Sequence, residues 1–152
     1  MKSFRIFVKI NKIGLNPHAM KKLEHIGIAV KDLDAANILF AKLFGRPHYK
    51  IEDVEKEGVR TSFFDLGNVK IELVAATRPD SAIAKFIEKR GEGLHHLAFE
   101  SENIEHEMRD LKSKEFVWLS EKPFPGADNK NVAFIHPKTT NHVLVELCEE
   151  RK

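Results

Sequence analysis

The chain repeats itself once, and an internal repeat of this length constrains the architecture more than any other feature. Aligning "LEHIGIAVKDLD" with "LHHLAFESENIE" places Leu23 on Leu94 and His25 on His96, an offset of 96 − 25 = 71. Later in each half "VKIEL" aligns with "VLVEL", which places Glu72 on Glu146 at an offset of 146 − 72 = 74. The small discrepancy between the offsets is an ordinary loop difference. In the first half "LEHIGIAV" reads as a strand, and Asp32 caps a helix over "LDAANILFAKLF" that ends at Gly45 and Pro47. A strand near "HYKIEDV" and the pair "GVRTSFFDLG" and "NVKIELVAA", joined at Gly67-Asn68, complete a βαβββ unit. The connector "TRPDSAIAKFIEKRGEG" starts a short helix at Pro79, Asp80 or Ser81 and stops it at Gly91 and Gly93. The second half repeats the order: strand "LHHLAFE", helix "NIEHEMRDLKSK", a strand around "EFVWLS", a loop with Pro123, Pro125 and Gly126, and the hairpin "NVAFIHP" with "HVLVELCE". Two βαβββ modules related by a pseudo-twofold axis are therefore predicted.

Strand parity decides which residues share a surface, because successive side chains point to opposite faces. His25 is in phase with Leu23, Gly27 and Ala29, and His96 with Leu94 and Ala98. Glu72 stands with Lys70 and Val74, and Glu146 with Leu144 and Cys148. The alternate positions, Glu24, Ile26, Ile28 and Val30 in the first strand and His95, Leu97 and Phe99 in its copy, fall on the other face. The bulky faces must be buried under the two helices, which leaves the histidine and glutamate faces to line a concavity. A lone strand histidine is more often a core or surface residue than a ligand. Two histidines and two glutamates repeating in register reverse those odds, because enclosed charges of this kind must be paired or hold a metal. Imidazole and carboxylate donors suit an ion such as Co, Mn, Ni, Zn or Fe, with two positions left for a chelating substrate.

The other histidines carry less signal. His95 fails the phase test and is read as packing or hydrogen bonding. His18, His48, His106 and His142 have no copy in the other half and are read as solvent-exposed, and His136 is at a strand-to-turn junction. Cys148 and the lone Trp118 are read as packing residues.

Composition narrows the class. In 152 residues there are 25 Lys and Arg against 23 Asp and Glu, interleaved, so no basic field exists to grip nucleic acid. The lone cysteine allows no internal disulfide, and no apolar run approaches the roughly 20 residues of a membrane helix, so neither nucleic acid nor membrane is expected as a partner. Residues 1–19 carry Lys2, Arg5, Lys9 and Lys12 and no acid. They read first as an extension before Met20, second as an edge strand through Phe4, Ile6, Val8 and Ile10, and third as an organelle presequence. The expected division is an extension over 1–19 and one domain over 20–150, with module one about 20–77, the connector 78–93 and module two about 94–150.

The segments "LEHIGIAVKDLDAA", "LGNVKIELVAA", "DSAIAKFIEKRGEGLHHLAFE", "FIHPK" and "VLVELCE" resemble the vicinal oxygen chelate superfamily, which contains glyoxalases, extradiol dioxygenases and fosfomycin resistance proteins. Within it they most resemble the methylmalonyl-CoA epimerases. The first and last segments are general to the superfamily, whereas the long central one is much more specific. The resemblance implies an α+β fold in which the modules form a half-open mixed β-sheet barrel. It implies a divalent metal ion (Co, Mn, Ni, Zn or Mg) held by His25, His96 and Glu146, with Glu72 where some members have glutamine. It also implies methylmalonyl-CoA as substrate, a cytoplasmic location (the mitochondrial matrix if 1–19 is a presequence) and, by analogy, a homodimer. The implied reaction interconverts the (R) and (S) forms through a metal-stabilised enolate, with Glu146 as acid/base on one face and Glu72 on the other. Some members place a glutamate shortly after the glycine matching Gly58; here "EGVRTSFF" has Arg60 and Thr61 in that region, and a water held by Thr61 is the competing assignment. A glyoxalase-type isomerase would use the same four ligands. An extradiol dioxygenase would leave Glu72 surplus, and a binding module of this fold needs no metal.

Overall fold

A computed structural model describes Met20 and residues 22–152, so the readings of 1–19 lie outside the described residues. The elements follow the order that the repeat demands. Strand β1 (Leu23–Ala29), helix α1 (Leu33–Phe44) and strands β2 (Lys50–Val54), β3 (Val59–Asp65) and β4 (Lys70–Ala76) make the first module. The connector forms α2 (Ala82–Arg90), and β5 (Gly93–Glu100), α3 (Ile104–Ser113), β6 (Phe124–Pro125), β7 (Lys130–Ile135) and β8 (Val145–Glu150) make the second. Each helix starts on a side-chain cap that satisfies one of its free amides: Asp32 Oδ1 accepts from Ala35 N at 3.0 Å, Ser81 Oγ from Ala84 N at 3.1 Å, and Asn103 Oδ1 from His106 N at 3.0 Å. Helix α1 stops at Gly45, whose φ of 66° is open to glycine at little steric cost.

The strands form one mixed sheet in the order β2-β3-β4-β1-β5-β8-β7-β6, which is symmetric about its centre. β1 and β5 meet antiparallel at the seam, and each has its own module's last strand, β4 or β8, as a parallel neighbour on the other side. Helix α1 covers Phe64, Ile71 and Leu73, and α3 covers Ala133, Ile135 and Leu147. These are the bulky parity faces expected from sequence. The opposite faces line a curled half-barrel, and α2 closes one end of it over Ala29, Val59 and Val74. Among the described residues no helix is long and apolar enough to cross a membrane.

Module two departs from the prediction in one stretch. "EFVWLS" is not a strand: Glu115 turns with a φ of 68°, and Trp118 makes only an isolated bridge to Ile135. Its apolar residues Phe116 and Trp118 pack against the α3 cluster, and Trp118 Nε1 donates to Met108 O at 3.1 Å. The strand beside β7 is instead the two-residue β6 in what reads as a proline loop, kept short because Pro123 and Pro125 offer no amide to a ladder. β8 likewise begins only at Val145, after Asn141 and His142 adopt positive φ.

Leu73 and Leu147 are repeat equivalents, both fully buried. Truncating either to alanine is expected to cost a similar amount, about 2–5 kcal/mol, in chemical denaturation. A markedly unequal pair of losses would contradict equivalent cores.

Candidate metal centre

Each strand of the seam carries one β-bulge, and the two bulges occupy equivalent places. On β1 the pairing passes from Leu23↔Phe99 to His25↔Ala98, so Glu24 is the extra residue; on β5 it passes from Gly27↔His96 to Ile28↔Leu94, so His95 is. A bulge suspends strict alternation, and this corrects the parity reading. Glu24 and His95, assigned to the helix side, both line the cavity beside the histidine that follows them. Glu24 Oε2 lies 2.5 Å from His25 Nδ1, and His95 Nδ1 lies 2.9 Å from His96 Nδ1. Such partners fix ring orientation and leave the far nitrogen free to bind an ion. Phe63 and Phe134, another equivalent pair, set their rings edge-on to His25 and His96 with centroids 6.3 and 5.9 Å apart.

The four residues selected by the repeat come together. His25 Nε2 and His96 Nε2 are 3.0 Å apart. Glu72 Oε2 lies 3.4 Å from His25 Nε2 and 3.3 Å from His96 Nε2; for Glu146 Oε2 the corresponding distances are 3.7 and 3.2 Å. All four side chains are buried. Metal–ligand bonds of about 2.0–2.2 Å require donor atoms of one ion to stand roughly 3–4 Å apart, so His25, His96 and Glu146 fit a divalent cation, with Glu72 Oε2 beside both histidines. Small residues make the room: Gly27 is paired with Glu72 on β4, and its equivalent Ala98 with Glu146 on β8. Gly27 also lies under the His96 ring, where a methyl group would overlap imidazole atoms.

The two glutamates are not held alike. Thr61 is fully buried and its hydroxyl donates to Glu72 Oε1 at 2.7 Å, so it positions a carboxylate. The residue at Thr61's place in module two is Val132, which offers Glu146 no hydroxyl. Both oxygens of Glu72 are thus engaged, whereas Glu146 faces the histidines through Oε2 with its other oxygen unclaimed by this strand.

Electrostatics follow the same pattern. Burial alone would raise Glu24, but hydrogen bonds from His25 and Lys70 outweigh it and hold its pKa at about 2. Burial opposes charge on His25, yet hydrogen bonds to Glu146, Glu24 and Glu72 raise its pKa well above the ordinary value, a sign that this cluster demands a positive charge. Burial and then the neighbouring His96 hold His95 near 4, so it stays neutral. Burial pushes Cys148 up to about 12, which fits the packing role expected of it among Ala98 and Val132. His136 is structural: its Nδ1 accepts from Lys138 N at 3.1 Å. His48 packs against Phe64, and His106 and His142 are exposed.

The site opens into a cavity of about 470 Å³. It also exposes Glu57, a residue that parity and repeat arguments passed over because it belongs to a turn.

The chain matches the model of the Glyoxalase/Bleomycin resistance protein/Dioxygenase superfamily over residues 24–134. It is 39% identical over 132 residues to the uncharacterized protein YqjC of Bacillus subtilis (strain 168), covering 87% of this chain and 94% of that one. It is 39% identical over 127 residues to the mitochondrial methylmalonyl-CoA epimerase of Homo sapiens, covering 83% and 72%. The crystal structure of methylmalonyl-CoA epimerase from Mycobacterium tuberculosis superposes with a TM-score of 0.86 at 32% identity, covering 91% of this chain and 93% of that one.

Two substitutions test this geometry by calorimetric titration with Co²⁺ or Mn²⁺. Glu24→Gln should weaken ion binding about 10–100-fold with the fold retained, since it unseats only the partner of His25. Gly27→Ala should displace the His96 ring and weaken binding at least as much. Unchanged affinity in both would refute the donor set.

Proposed function

The chain belongs to the Glyoxalase/Bleomycin resistance protein/Dioxygenase superfamily, and we propose that within it this protein is a metal-dependent epimerase interconverting the (R) and (S) stereoisomers of methylmalonyl-CoA. The observation that carries the reading is the buried cluster in which one carboxylate oxygen of Glu72 and one of Glu146 each lie within 3.7 Å of both imidazole Nε2 atoms, on the wall of a half-open cavity. Epimerase relatives spanning most of the chain support the substrate.

In this reading His25, Glu72, His96 and Glu146 hold one divalent ion. Bound there, the ion supplies Lewis-acid polarisation of the thioester carbonyl and an anchor for the substrate carboxylate. The chain supplies the rest. Phe63, Val74 and Phe134 line the cavity and exclude water from the reacting carbon, which strengthens every polar contact inside. Glu146 is the acid/base for one face of that carbon, acting through the oxygen not turned to the histidines. Glu72 was expected on the other face, but with Thr61 on one oxygen and the histidines on the other it is fitted to ligation.

A second groove, of about 500 Å³, shares His95 and His96 with the cavity. Lys85, Lys89 and Arg90 of α2 border it, and Phe86, Leu94 and Pro137 give it apolar walls. Apolar walls beside a basic helix face suit the pantetheine and phosphate parts of coenzyme A. Association of two copies belongs to the same reading and is supported by the exposed apolar residues Ile38, Leu39 and Leu43 on α1. So does a cytoplasmic or matrix location.

The decisive experiment is α-proton exchange with one stereoisomer of methylmalonyl-CoA in deuterated water. Exchange and interconversion are expected with metal and should vanish with chelator; no metal-dependent exchange would reject the reaction. Lys85→Glu with Lys89→Glu should raise KM for the CoA thioester about tenfold or more with kcat little changed, and should spare a truncated thioester that lacks the nucleotide. Equal effects on both substrates would move the nucleotide elsewhere.

A further inference from the structure

The pseudo-twofold gives the cavity two equivalent turns, β2–β3 and β6–β7, and each places a carboxylate on its lining: Glu57 and, at an offset of 128 − 57 = 71, Asp128. Their surroundings differ. Asp128 accepts from Lys70 Nζ at 2.8 Å and from Tyr49 Oη at 2.9 Å, and its carboxyl is held below the usual range: burial opposes this, but those two hydrogen bonds outweigh it. Glu57 has no hydrogen bond or ion pair to its carboxylate among the described residues. The cation that secures Asp128 has no counterpart on its side, because Lys70 on β4 corresponds to Leu144 before β8. Burial, together with the charges of Glu146 and Glu72, pushes Glu57 up to about 7. A carboxyl so poised gives and takes a proton near neutral pH.

The backbone beneath it is fixed. Glu57 N donates to Val54 O at 3.0 Å, and Gly58 N to Glu55 O at 3.1 Å. Arg78 Nη1 donates to Glu55 O at 2.8 Å, while its guanidinium lies so close to Gly58 that a Cβ there would stand 2.8 Å from Nε. Thr77 N donates to Gly58 O at 2.8 Å. An unpaired carboxylate is thus presented to the cavity on a pinned turn.

We propose that Glu57 is the catalytic acid/base on the face of the reacting carbon opposite Glu146, an assignment that rests on the epimerase reading. In one direction the Glu57 carboxylate takes the α-proton as the C–H bond breaks, and the electron pair moves into the bond to the thioester carbon and onto its oxygen. Glu146 then delivers a proton to the other face, and the pair returns to form the new C–H bond. Exchange with water resets both carboxyls, and in the reverse direction they trade roles. No electron is gained or lost.

The test uses each stereoisomer separately in deuterated water with the metal-loaded protein. Glu57→Gln should slow interconversion about a hundredfold or more. The isomer whose proton faces Glu146 should still exchange it with solvent, the other should not, and bound ion per chain and melting temperature should match wild type. Glu57→Asp should recover part of the rate. Interconversion by Glu57→Gln at the wild-type rate, or loss of its bound ion, overturns the assignment while leaving the epimerase reading in place. A wild-type protein inert toward both isomers overturns both.

Discussion

The site depends on the antiparallel seam between β1 and β5. Only where these strands cross can His25 and His96, one from each half, bring their Nε2 atoms to 3.0 Å. The parallel neighbours β4 and β8 then deliver Glu72 and Glu146 opposite Gly27 and Ala98, the two small residues in the seam. The bulges complete the arrangement. By adding one residue before each histidine they place a polar partner against its Nδ1 without shifting the hydrophobic register that seats α1 and α3.

Near-symmetry makes the differences between the halves informative. At the bulge one half has a carboxylate and the other a neutral imidazole, so the two histidines are held by different chemistry. At Thr61 and Val132 one half secures the second oxygen of its glutamate and the other leaves it unclaimed. At Lys70 and Leu144 one turn carboxylate is locked in an ion pair and its counterpart is not. Four side chains repeated in register make a symmetric cluster, whereas the proposed reaction, which inverts one carbon, needs two groups acting in sequence from different directions. At these three positions the halves give up symmetry.

Much of this was legible in the sequence. Parity and repeat together give the modules, the helix-facing clusters and the convergence of His25, Glu72, His96 and Glu146 on one cavity wall, because side chains on regular strands inherit the period of the strand. What escaped has physical reasons. Glu24 was placed on the wrong face because a bulge leaves no mark on a pattern of alternating residues. The strand expected at "EFVWLS" drew on the apolar alternation of Phe116 and Trp118, which packs against α3 instead of extending the sheet. The pairing beside β7 passed to a proline-flanked stretch that propensity argues against. Glu57 escaped because a turn has no period, and its significance arises only from the cation that its equivalent has and it lacks.

The four clustered side chains are also split evenly, a histidine and a glutamate from each half, so an ion held by them would belong to neither module alone. Any ion that binds only the assembled pair draws free energy from holding the modules together, and cohesion across the seam becomes a function of free metal. For an ion present at a thousand times its dissociation constant, that linkage is about 4 kcal/mol, comparable with losing a large core side chain.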